Sequence, residues 1–165
     1  MDARGPIPAL VLAGIFALLP IAAGAQSIGT AAAVKPEAEG GGSPLQAGSS
    51  LYSNETVRTG QAGVAELQFN DNTKLSVGPS SNIHLDKFVY DPTNRGAGKL
   101  AINATKGAYR FITGSQDKKN YEINTPYATI GVRGTVLEIV VVPGKGKGKA
   151  RRASTRTKTT RTAYR

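Results

Sequence analysis

From Leu51 to Val142, apolar residues recur at every second position in short runs, and turn-forming residues separate the runs. Ala65, Leu67 and Phe69 fall on one side of an extended chain, with Glu66 and Gln68 on the other. Asn70-Asp71-Asn72 turns the chain, because Asn and Asp tolerate positive φ and bond their own backbone. Thr73, Leu75 and Val77 then return opposite Lys74 and Ser76, which predicts a hairpin. After Gly78-Pro79-Ser80-Ser81-Asn82, Ile83 and Leu85 point inward while His84 and Asp86 point outward. Leu100 and Ile102 predict a short strand, and Tyr109 and Phe111 share a face of another, over Ala108 to Ile112. Gly114 to Asn120 reads as a polar loop, and Tyr121 and Ile123 follow it.

The chain then reaches T-P-Y-A-T-I-G-V-R-G-T, Thr125 to Thr135, and its most apolar run outside the first 25 residues, Val136 to Val142. Pro126 fixes its own φ and pushes Thr125 into an extended conformation. Ala128, Ile130 and Val132 alternate as one strand face, and Leu137, Ile139 and Val141 as another. Between them, Gly131 and Gly134 bracket Val132 and Arg133, predicting a bulge or a place where another backbone comes near. Arg133 is expected to lock this kink by donating to carbonyls, or to an acid such as Asp71 or Asp86.

These runs sit in an all-β, single-domain reading over residues 49–142. Its architecture is expected to be β-solenoid-like or a rolled meander, with a β-sandwich as the alternative. Residues 1–25 read as a secretory signal peptide: Arg4, an apolar stretch from Ala9 to Leu19, Pro20, and an A-x-A cleavage site at Ala23-Gly24-Ala25. Residues 26–48, rich in Ala, Gly, Ser and Pro, read as a flexible linker. Residues 143–165 read as a disordered basic tail. The composition break after Val142 suggests a domain truncated at its C-terminal end, as a shifted reading frame would produce.

Charge sharpens that division. The whole chain carries +10. Nine cations and no acids lie in 143–165, and Asp2 cancels Arg4 in 1–25, so residues 26–142 carry 10 − 9 = +1. Only the tail is suited to a polyanion or an anionic membrane surface, with Lys145, Lys147, Lys149, Arg151 and Arg152 as candidate contacts. It has no aromatic interleaving except Tyr164, so no specific nucleic-acid partner is expected.

Candidate chemistry is sparse. The chain has no Cys and one His. His84 and Asp86 read as a solvated sheet face, since a metal site needs three or more ligands. Asn70-Asp71-Asn72 lacks the glycine and distal Glu of a calcium loop. Ser115-Gln116-Asp117-Lys118 fits S-x-x-K by letter alone, without its companion motifs. Gly144 to Lys149 lacks the phosphate-loop frame. Asn54-Glu55-Thr56 and Asn103-Ala104-Thr105 match the glycosylation sequon and read as turn residues. No enzyme activity, cofactor or metal is expected.

In order along the chain stand V-R-T-G (57–60), A-E-L-Q-F-N-D-N-T-K-L-S-V (65–77), K-G-A-Y-R-F-I-T-G (106–114) and T-P-Y-A-T-I-G-V-R-G-T (125–135). This order resembles a FecR-like domain. The resemblance singles out Thr125, Pro126, Ile130, Gly131, Val132, Arg133, Gly134 and Thr135, with Arg58, Thr59, Gly60, Asp71, Gly107 and Gly114 in support, all read as structural. It implies an extracytoplasmic β-rich module; the best-known members are inner-membrane regulators of a sigma factor that sense an outer-membrane transporter. The chain is identified as an exported, domain-only member lacking the anti-sigma and transmembrane segments. The expected role is non-enzymatic, periplasmic or secreted, contacting an envelope protein or sensing a signal, with no membrane span after signal cleavage. The alternative is a small-ligand or polyanion binder that uses the tail as its clamp.

Overall fold

Short runs in which buried and exposed side chains largely alternate become twelve strands in residues 26–144, the part of the chain that the computed structural model describes. They are β1 (Ser27–Val34), β2 (Ala38–Gly40), β3 (Ser43–Pro44), β4 (Ser50–Tyr52), β5 (Glu55–Thr59) and β6 (Ala65–Phe69). There follow β7 (Lys74–Val77), β8 (Asn82–Val89), β9 (Lys99–Ile112), β10 (Tyr121–Asn124), β11 (Thr129–Gly131) and β12 (Val136–Val141). The expected signal peptide and nearly all of the basic tail lie outside the described residues. Among the described residues no helix is long and apolar enough to cross a membrane.

The strands form one curled antiparallel sheet, a half-barrel, in the order β3-β2-β5-β8-β9-β7-β6-β1-β4. The all-β reading holds, in its rolled form. Ten of the eleven strand pairs are antiparallel, whereas a solenoid stacks parallel strands; only β9 and β10 run parallel. β9 is the hinge of the roll. Its first half pairs with β8 and β10, and its second half with β7 and β12. The sequence predicts two strands here; the structure has one, bent at Gly107. The polar stretch Asn103–Lys106 reads as a break, but its backbone is held on one side by β8.

The linker expected over 26–48 is instead part of the sheet. β1 inserts between β4 and β6, and β2 pairs with β5. Ile28, Ala31, Ala38 and Leu45 are buried. Small side chains, which read as linker composition, are what this packing requires. A Cβ on Gly29 would stand 2.4 Å from the Gln68 carbonyl oxygen.

The concave side holds the core. Phe69, Leu75, Ile83, Leu100, Phe111 and Tyr121 are all nearly inaccessible to solvent. Phe111 and Tyr121 meet edge-on with centroids 5.5 Å apart, a geometry favoured by the ring quadrupoles. Ala65, Leu67, Ile123, Leu137, Ile139 and Val141 also face inward, as the alternation predicts.

Candidate functional site

Two polar knots account for five of the six supporting residues, all but Arg58. The first ties the bend of β9 to the turn between β7 and β8. Thr59 Oγ1 donates to the Gly78 carbonyl at 2.7 Å and accepts from the Ser81 amide at 3.0 Å. Ser81 Oγ accepts from the Ala108 amide at 3.3 Å. Gly107, at φ +119°, lies against Ser81: a Cβ there would fall 2.0 Å from Ser81 Oγ. Gly60 donates to the Glu37 carbonyl and its own carbonyl accepts from Ser80. Tyr109 OH donates to the carbonyls of Asn82, at 2.7 Å, and Lys106. Burial pushes this phenol up to about 12, against the opposing pull of its hydrogen bonds.

The second knot surrounds Asp71, which is fully buried. One carboxylate oxygen accepts from the Thr73 amide at 3.0 Å. The other accepts from the Thr73 hydroxyl at 2.7 Å, Gln116 Nε2 at 2.9 Å and Tyr121 OH at 2.9 Å. Gly114 donates its amide to Thr73 Oγ1 and Tyr121 OH, both at 3.1 Å, and a Cβ there would fall 2.2 Å from the Asp71 carbonyl oxygen. Burial raises the Tyr121 phenol above its ordinary value; the Thr73 hydroxyl opposes this and the Asp71 carboxylate adds to it. The sequence places Asp71 in a turn correctly but gives no sign that Thr73, Gln116 and Tyr121 close around it. Those partners lie up to 50 residues away.

The last motif is different. Thr125 to Ala128 form a tight turn, with the Thr125 hydroxyl accepting from the amides of Tyr127 and Ala128. Thr129 and Ile130 continue in β11, paired to β10, with Ile130 half-buried. Val132 is buried and its amide reaches the Tyr121 carbonyl at 3.4 Å. The Thr135 carbonyl accepts from the Thr113 amide at 2.9 Å. The predicted strand, break and strand are therefore present, but Ala128 is exposed and lies outside the strand.

The predicted close approach is absent. A Cβ on Gly131 would meet nothing within 4 Å, and one on Gly134 only the Val136 carbonyl oxygen at 3.7 Å. Neither glycine has φ in the left-handed region. The lock expected of Arg133 is also absent. Its side chain is exposed, and among the described residues it makes no hydrogen bond or ion pair; Asp71 is occupied by the second knot. The kink is held instead by backbone bonds to Tyr121 and Thr113, which leaves the guanidinium outside. Tyr127, 49% exposed, belongs to the same motif, and its hydroxyl donates to the Val142 carbonyl at 2.9 Å. Arg58 is exposed on β5.

Elsewhere the surface offers little chemistry. His84 Nδ1 lies 3.1 Å from the Thr56 hydroxyl, and Asp86 is exposed. No group of three or more His, Asp or Glu among the described residues could hold a metal. A cleft of about 470 Å³ opens between β3 and β4, bordered by Gly40, Pro44, Tyr52, Asn54 and Glu55. The Glu55 carboxylate there already accepts the Tyr52 amide at 2.8 Å. Of the basic candidates, Lys145, Lys147, Lys149, Arg151 and Arg152 lie outside the described residues.

No curated protein and no solved structure matches the chain. A family model described as FecR protein matches residues 55–160, more than half of the sequence and running past the composition break after Val142. The supporting motifs supply Thr59, Gly60, Asp71, Gly107 and Gly114 to the two knots, and the fourth motif is exposed except at Thr125, Ile130 and Val132; on this match the chain belongs to the FecR family.

Proposed function

We propose that the protein is a non-catalytic interaction module of the bacterial envelope, exported across the inner membrane, with the exposed residues Thr129 and Arg133 of the fourth motif in its partner contact. Membership of the FecR family supports a signal-transduction or regulatory role. One observation carries the choice of face. The marked glycines of the other motifs are consumed by internal packing, whereas Gly131, Gly134 and Arg133 meet no demand from the described residues. An exposed guanidinium with an open fork of donors suits a carboxylate-bearing protein surface.

The test is a photo-cross-linking amino acid placed at Thr129 or Arg133, with Glu66 on β6 as an exposed control, in cells of the native host. Adducts to another envelope protein from the first two positions and none from the third are expected. Arg133→Ala should leave the melting temperature unchanged. Adducts at Glu66 alone, or a melting temperature several degrees lower in Arg133→Ala, would sink the reading. The second reading, an anionic-surface binder, rests on the segregation of nine cations into residues 143–165.

A further inference from the structure

A sheet that curls without closing has edges, and among the described residues three of its four edge strands are blunted. β3 has two residues and ends in Pro44, which has no N–H to offer. β4 and β11 have three residues each. β12 is the exception. It runs six residues, Val136 to Val141, contains no proline and one charge, and among the described residues pairs with β9 alone. Its outward side chains include Val136, 38% exposed, and Val140, 64% exposed, with Val142 just beyond at 69%. This is a long, apolar, unprotected edge, the kind that templates another strand.

The chain's own continuation is poorly suited to cover it. The family match runs on to residue 160, but residues 145–160 offer only Ala150 and Ala153 as apolar side chains, among seven cations. The residues beside the edge fit a copy of themselves. We propose that β12 pairs antiparallel with β12 of a second copy, centred on Ile139, joining two half-barrels into one continuous sheet.

The register follows from three constraints. Residues opposite each other in an antiparallel pair share a face, so each residue must meet one of its own parity. Centring on Glu138 sets two carboxylates opposite each other, which is destabilising. Centring on Val140 sets Leu137 against Pro143 and Val136 against Gly144, carrying the ladder past the end of β12. Centring on Ile139 sets Leu137 against Val141, Glu138 against Val140, and Val136 against Val142. Charge selects the direction. Antiparallel pairing sends the two basic C-terminal segments away at opposite ends of the ribbon, roughly 20 Å apart for six residues, whereas parallel pairing would bring them together. The proposal does not depend on Arg133, although Tyr127, whose hydroxyl donates to the Val142 carbonyl, borders the same edge.

The absence of cysteine makes the test direct. Full chains carrying Glu138→Cys and Val140→Cys are mixed and oxidised. The mixture should give a disulfide between the two variants in several-fold excess over either variant alone. By light scattering after size exclusion, the unmodified chain should be a dimer at about 100 µM and associate more tightly as salt rises. Val140→Lys should weaken association at least tenfold with an unchanged circular-dichroism melt, and Val89→Lys, on the exposed side of β8, should not. A monomer at that concentration in high salt overturns the proposal. So does cross-linking of Glu138→Cys alone that matches the mixture.

Discussion

Asp71 and Tyr109 are the residues on which the roll most depends, and both act through atoms that the sequence cannot place. Asp71→Ala removes an acceptor of four hydrogen bonds and leaves Gln116 Nε2 and the Tyr121 phenol buried without it. Orphaned buried donors make this one of the severe single changes, on the order of 3–4 kcal/mol, to be read as a shift in urea midpoint at constant slope. Tyr109 makes a prediction in pH. Its phenol is raised to about 12 in the folded state, against an ordinary value near 10. A raised folded pKa contributes stability that is fully present below pH 10 and is lost as pH climbs through 12. Two units correspond to about 2–3 kcal/mol. Urea midpoints measured between pH 9 and 12 should fall steeply, and Tyr109→Phe should flatten that fall. An equal decline in the variant would assign it to other groups. Alternation alone reveals that Tyr109 faces inward. That its hydroxyl closes onto Asn82 and Lys106 depends on the bend at Gly107, which spacing does not encode.

At the scale of elements, legibility divides along side-chain size. β6, β7 and β12 carry apolar residues at every second position, nearly all of them large, so their inward faces can be read directly. β1 carries Gly29 and Ala31, buried by neighbours on both sides, and composition alone makes such a strand look like linker. Ala31 has no exposed surface, so Ala31→Asp would put an unpaired charge between β4 and β6; the variant is expected not to accumulate as folded protein. A folded Ala31→Asp chain with a normal melt would show that β1 is dispensable. The glycines divide in the same way. Gly107→Ala should be destabilised by more than about 3 kcal/mol, because both its φ and the contact with Ser81 exclude a side chain. Gly131→Ala should leave stability within about 0.5 kcal/mol, since open space surrounds it. The sequence assigns both glycines to one structural role; only the packing around each separates them.

At the scale of the molecule, a nearly neutral body carries a strongly cationic C-terminal segment, and the two should be separable. The core is closed by residues up to Val141, and the last described contact is that of the Gly144 amide with Tyr127 OH at 2.6 Å. A chain ending at Gly144 should therefore melt within about 2 °C of the whole protein, the change expected when no buried contact is lost. Binding to vesicles containing anionic lipid should behave oppositely. Cations near such a surface contribute about 1 kcal/mol each, so even three or four engaged residues among the nine give measurable affinity. That affinity should fall by more than tenfold between 0.05 and 0.3 M salt, because the Debye length shrinks to about half or less over that range. It should vanish in the shortened chain. Binding that survives the truncation would move the anionic contact onto the body, where Arg58, Arg110 and Arg133 are exposed. Loss of the fold on truncation would instead mean that the segment matched by the family model up to residue 160 takes part in the sheet, and that its charge serves packing before any surface.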